Sequence, residues 1–168
     1  MVFKGIYDDF LYFDIEYQDQ SEQTGYICQQ EINQLSLYLS FSNKLCFSAI
    51  LVSEVQEVIR WFEKIALNKS VEPKLVILHK QFYFDLLENN SNLKVIRITY
   101  DTTIPIPGMG GYSLAPGSKK EDLFNKNFFE CEMDNQEIER VVKKLTAELQ
   151  IELQIGWQVE SKKPKPND

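Results

Sequence analysis

The chain has 168 residues, of which 43% are hydrophobic and 12% aromatic, enough to fill the core of one domain. Its formal net charge of -7 disfavours nucleic acid and anionic lipid as partners. No apolar run approaches the ~20 residues of a membrane span, and the opening MVFKGIYDDF lacks the basic-then-apolar order of a secretory signal, so the chain reads as cytoplasmic.

Leu11, Phe13, Ile15 and Tyr17 alternate with Tyr12, Asp14 and Glu16, the period of two that marks a half-buried strand. Residues 18–31 make a polar connection. Leu35, Leu37, Leu39 and Phe41 repeat the alternation, and Ser42-Asn43-Lys44 is a turn. Leu45, Phe47, Ala49 and Leu51 then predict the apolar face of a second hairpin arm. Ser53 and Gln56 have the spacing of a capping box, and Val55, Val58, Ile59, Phe62, Ile65 and Ala66 form one helical stripe over about 54–67. Asn68 and Pro73 end that helix. Leu75 to Leu78, then Phe82, Phe84 and Leu86, then Val95 to Tyr100 predict further strands, with Asn89-Asn90-Ser91-Asn92 as a turn.

Residues 101–122 hold three of the six prolines and four of the seven glycines, which predicts a long loop of the kind that is commonly functional. Phe129, Cys131 and Met133 resume the strand pattern. Asp134 and Glu137 predict the cap of a second helix over about 135–153, with Ile138, Val141, Val142, Leu145, Leu149 and Leu153 facing the core and Glu139, Arg140, Lys143, Lys144 and Glu148 facing solvent. Residues 156–168 read as a polar, mobile tail. No internal repeat is visible. The prediction is a single α+β domain over 1–155: an antiparallel sheet of about six or seven strands packed by two helices.

No constellation for catalysis or metal binding stands out. His79 is the single histidine, and Cys28, Cys46 and Cys131 lie far apart with no Cys-x-x-Cys pair, so neither a zinc site nor a disulfide framework is predicted. No Gly-x-Ser-x-Gly surrounds a serine. Gly108-Met109-Gly110-Gly111 lacks the Lys-Ser/Thr end of a phosphate loop. Lys119-Lys120 and Lys162-Lys163 are short basic pairs without a stripe between them. Neither a cofactor nor a catalytic residue is assigned.

The charge is the informative feature. Residues 1–31 hold Asp8, Asp9, Asp14, Glu16, Asp19, Glu22 and Glu31 against Lys4 alone, a net of -6. An acidic head of this kind steers a basic protein toward it. Asp8, Asp9, Asp14, Glu16, Asp19 and Glu22 are therefore candidate partner-binding residues, and Met109 and Tyr112 in the long loop are candidates beside them.

Three stretches carry a resemblance: Leu35-Ser-Leu-Tyr-Leu39, Val55-Gln-Glu-Val-Ile-Arg-Trp-Phe62, and Phe128-Phe-Glu-Cys-Glu-Met-Asp-Asn-Gln-Glu-Ile-Glu-Arg-Val-Val142. With their order of elements the chain resembles the WapI-type immunity proteins of bacterial polymorphic toxin systems. The resemblance implies a non-catalytic inhibitor that occludes a cognate toxin's active site, and it supplies no catalytic residues. A second reading is a small-molecule or lipid carrier with an apolar cavity between the sheet and the C-terminal helix, lined by some of the eleven phenylalanines and eight tyrosines. Neither reading fixes the oligomeric state.

Overall fold

A computed structural model describes residues 1–7, 10–17, 34–41, 44–77, 82–101 and 126–162. The elements are β1 (Val2–Lys4), β2 (Phe10–Glu16), β3 (Gln34–Phe41), β4 (Lys44–Leu51), α1 (Val52–Ala66), β5 (Lys74–Ile77), β6 (Phe82–Asn89), β7 (Lys94–Asp101), β8 (Lys126–Met133) and α2 (Asn135–Lys162). The class is α+β, with two helices as predicted. The strands, however, form two four-stranded antiparallel sheets, β1-β2-β3-β4 and β5-β6-β7-β8, instead of one.

The division has a simple cause. Each sheet is an up-and-down meander whose last strand runs straight into a helix, so the order β-β-β-β-α occurs twice. The two halves share this order of elements without sharing a run of residues. β4 and β5 flank α1 in the chain and lie at the outer edges. The sheets meet instead along β1 and β8, where the Ile6 N–H donates to the Glu130 carbonyl at 3.0 Å.

The strand period decides which side chains go inward. β2 alternates strictly, burying Leu11, Phe13 and Ile15 and exposing Phe10, Tyr12, Asp14 and Glu16. Register extends the inner face: Ile15 lies opposite the buried Leu37. In β4 the predicted phase is reversed at its end. Ile50 pairs with the buried Leu35 and is itself buried, while Leu51 is exposed. In the second sheet Ile77, Phe82, Phe84, Ile96, Ile98, Phe129, Cys131 and Met133 are buried.

One hydrophobic cluster takes in both sheets and both helices. Phe62 on α1 stacks on Phe3 of β1 at 6.2 Å and meets Phe84 of β6 edge-on at 5.5 Å. Phe84 meets Phe82, and Phe82 reaches Phe13 of β2 at 6.1 Å. On a flat sheet β2 and β6 would stand roughly 19 Å apart, at ~4.8 Å per strand. Ring contact between them requires that the sheets curve together around the helices.

The helix ends follow local chemistry. Asp134 Oδ1 accepts the Glu137 N–H at 2.7 Å, and Glu137 Oε2 accepts the Asp134 N–H at 3.2 Å, the reciprocal capping box read from sequence. α1 begins earlier than its predicted cap at Ser53, because β4 stays paired through Leu51 and leaves no extended residue beyond it. Leu51 has no side-chain acceptor, and only Glu54 acts, taking the Leu51 N–H at 2.9 Å. At the other end Asn68 has φ 52°, the left-handed conformation that asparagine tolerates. The Asn68 N–H reaches the Ile65 carbonyl at 2.9 Å and the Lys69 N–H the Lys64 carbonyl at 2.8 Å, which completes a Schellman stop.

α2 runs on to Lys162, well past the predicted end at 153. Glu148 also departs from its predicted solvent role. It lies 3.5 Å from the Met1 amino group, which donates to the Phe13 carbonyl, and Glu152 Oε2 accepts the Tyr17 N–H at 2.7 Å. These two carboxylates, one helical turn apart, hold α2 against β2.

Lys94 is fully buried, at 0% exposure. Its ammonium donates to Asn68 Oδ1 at 2.9 Å, to the Ser91 carbonyl at 3.3 Å and to the Asn90 carbonyl. Three donors meet three acceptors, which is what burial of an ammonium demands. The β6–β7 turn is thereby tied to the end of α1.

Two outcomes follow from this packing. Phe62→Ala removes the ring that touches both sheets and should cost about 3–5 kcal/mol by transfer and cavity terms, read as a shift in the urea midpoint; a loss below about 1 kcal/mol would contradict the packing described. Lys94→Met keeps the stem and orphans the acceptors, so it should destabilise by about 1–3 kcal/mol. An unchanged midpoint for that variant would show the ammonium to be dispensable.

Candidate partner-binding face

The sheet surface turned away from the helices carries the sequence-derived candidates that can be placed. β2 presents Phe10, Tyr12, Asp14 and Glu16 there by its alternation. Register sets Val2 and Lys4 of β1 opposite Tyr12 and Phe10, and Ser40, Tyr38 and Ser36 of β3 opposite Tyr12, Asp14 and Glu16. Asp14 and Glu16 thus share one face, as their spacing predicts. Asp8, Asp9, Asp19, Glu22, Met109 and Tyr112 lie outside the described residues, as does most of the predicted loop over 101–122; His79 and Cys28 lie outside them too. Cys131 is buried, a packed thiol.

The electrostatics of this patch are set by its acids. Asp14 keeps its side chain 70% exposed and lies 4.0 Å from the Met1 amino group. Tyr38 donates a hydrogen bond to Glu16, and its phenol is held above the ordinary tyrosine value, first by partial burial and then by the negative charges of Glu16 and Asp14. A Tyr–Glu hydrogen bond of this kind fixes the orientation of the Glu16 side chain.

Exposed aromatic residues share β2 with these acids and recur on the first and second sheets near the seam, and sequence reading passed over them. Phe10 is 46% exposed, Tyr12 53% and Tyr7 75%. Phe128 on β8, beyond the β1–β8 seam, is 57% exposed. The available signal was the β2 alternation itself, which already put Tyr12 on the outward side with Asp14. Solvent-facing rings held on paired strands are anchors of the kind that carry protein–protein contacts.

The second sheet continues the surface with paired charges. Arg97 on β7 lies opposite Glu130 on β8, donates to Glu130 Oε1 through Nε at 2.7 Å and through its terminal nitrogen, and covers the Phe128 ring at 4.9 Å. Lys74 on β5 lies opposite Asp85 on β6, 3.4 Å from Asp85 Oδ1, with its ammonium 3.7 Å above the Tyr83 ring.

Other chemistry finds little support in the described residues. No group of three His, Cys, Asp or Glu residues among them is placed to hold a metal ion. No helix among them is long and apolar enough to cross a membrane. Phe3, Phe13, Phe62, Phe82 and Phe84 are buried in the core between the sheets and the helices. Among the described residues an open groove of about 350 Å³ is lined by Leu153, Gln154, Trp157 and Gln158 of α2.

No curated protein and no solved structure matches the chain. A family model matches residues 2–152, from β1 through both sheets into α2, and the protein belongs to the immunity protein WapI-like family.

Proposed function

We propose that the protein is a non-catalytic cytoplasmic inhibitor that neutralises a cognate bacterial toxin by laying its acidic, aromatic sheet face over the toxin's active cleft. Membership of an immunity family implies a toxin partner in general. The observation that supports a basic one is the shared outward face of Asp14 and Glu16 with exposed Phe10 and Tyr12. Carboxylates at the rim raise the rate of encounter with a cationic surface, and rings at the centre exclude water once contact is made. Asp8, Asp9, Asp19 and Glu22 extend the negative field in sequence, and Met109 and Tyr112 are proposed as further contacts. A cleft built to hold phosphates presents the complementary charge.

The test takes a candidate toxin domain from the neighbouring gene. Co-expression should restore growth to cells that make the toxin domain. Replacing Asp14 and Glu16 by Asn and Gln should slow association at low salt and flatten its salt response, since a Debye length of ~10 Å at 0.1 M already screens part of the attraction. Unfolding midpoints should barely change, because both side chains face solvent. Equal association rates for variant and parent at both ionic strengths would remove β2 from the interface.

A further inference from the structure

The outward face seats a cation in the same way twice. On β6, Tyr83 and Asp85 stand two residues apart on one side of the strand, and Lys74 of the neighbouring strand lies over the ring and against the carboxylate. On β8, Phe128 and Glu130 have the same spacing, and Arg97 of the neighbouring strand does the same. In both, the basic residue is the direct cross-strand partner of the acid. The geometry follows from the pleat: side chains at i and i+2 share a face, so a ring and a carboxylate flank one slot. A cation in that slot gains both the ring's negative face and the carboxylate's charge.

β2 carries the same pair in Tyr12 and Asp14. Here the cross-strand partner of Asp14 is Tyr38, not a basic residue. The cation–ring contacts of the described residues fall on Tyr83 and Phe128, and Asp14 is paired at 4.0 Å with the Met1 amino group, which also donates to the Phe13 carbonyl. The slot keeps its ring 53% exposed and its carboxylate side chain 70% exposed.

We infer that Tyr12 and Asp14 form a seat for an arginine side chain of the protein partner, the guanidinium lying on the Tyr12 ring with its edge toward Asp14. The inference rests on the reading of this face as the contact surface for a basic protein, and it names the group recognised. Arginine suits the seat better than lysine, because a planar guanidinium stacks and donates in the plane at once. Val2 lies opposite Tyr12 in register, and Phe10 precedes it by two residues on the same face, so the ring has apolar neighbours along the strand.

Titration of the isotope-labelled protein with a hexa-arginine peptide, followed by NMR, tests the seat without any toxin. The largest amide shifts should fall on residues 10–16, with Tyr12 ring protons moving as well. Tyr12→Leu and Asp14→Asn should each weaken binding about threefold, hexa-lysine should bind less well than hexa-arginine, and Trp157→Ala on α2 should change nothing. Urea midpoints of the variants check that they fold. Shifts centred elsewhere, or an unweakened Tyr12→Leu, would overturn the seat. The toxin assay separates the two claims. A parent protein that fails to neutralise its neighbour-encoded toxin refutes the inhibitor reading, and the peptide then judges the seat alone. A toxin neutralised equally by parent and by Tyr12→Leu/Asp14→Asn refutes the seat while the inhibitor reading stands.

Discussion

Phe62 holds the two halves of the molecule in one core. Its ring lies on Phe3 of the first sheet and against Phe84 of the second, and Phe82 and Phe13 close the same chain of rings from the other side. The two helices also pack on each other, α1 from the first half against α2 from the second. The sheets share no ladder, and among the described residues a single backbone hydrogen bond bridges β1 and β8. Relative placement of the sheets therefore depends on aromatic burial, which is strong but sets position through shape. Glu148 and Glu152 add direction by pinning α2 to the Met1 amino group and the Tyr17 backbone of the first sheet.

That dependence reaches the functional face. The outward residues of β2 are held by the inward ones, because the strand leaves no freedom between alternate positions. Phe13 and Ile15 fix where Tyr12, Asp14 and Glu16 point. Partner-binding groups carried on a paired strand are pre-organised, and little ordering entropy is lost on contact. The charge of the face is tuned in the same manner. On the second sheet Arg97 and Lys74 pair with the acids opposite them, while on β2 Asp14 faces Tyr38 across the ladder and meets the Met1 amino group only at 4.0 Å, with its side chain largely exposed.

Much of this was legible from residues alone. The alternation over 11–17 and the stripes of α1 and α2 gave strands, helices and most of the core, because a period of two or 3.6 is a local property. The Asp134–Glu137 cap and the Asn68 stop were legible for the same reason. What escaped was what depends on partners far along the chain. The separation into two meanders is set by where β1 and β8 meet, and no local pattern records that. Ile50 goes inward because Leu35 lies opposite it, although Leu51 fits the apolar alternation from Leu45 better. Of the candidate site, the shared face of Asp14 and Glu16 was readable and the company they keep was not. Arg97, Phe128 and Glu130 come together only through the β7–β8 register.

The doubled order of strands also shapes how the chain can reach its native state. Within each meander every strand pairs with its neighbour in sequence, so the ladders close by short loops or connections of moderate length. The Ile6–Glu130 bond joins residues almost at opposite ends of the paired region. Loop-closure entropy grows with separation, though only logarithmically, and topologies rich in local contacts assemble faster than those that need remote ones. The local ladders are thus the low-cost part of assembly, and the seam together with the ring contacts across it bears the entropic cost. The connectivity thus ranks the costs of closure: ladders within each meander join strands that are neighbours in sequence, and the union of β1 with β8 joins the most distant ones.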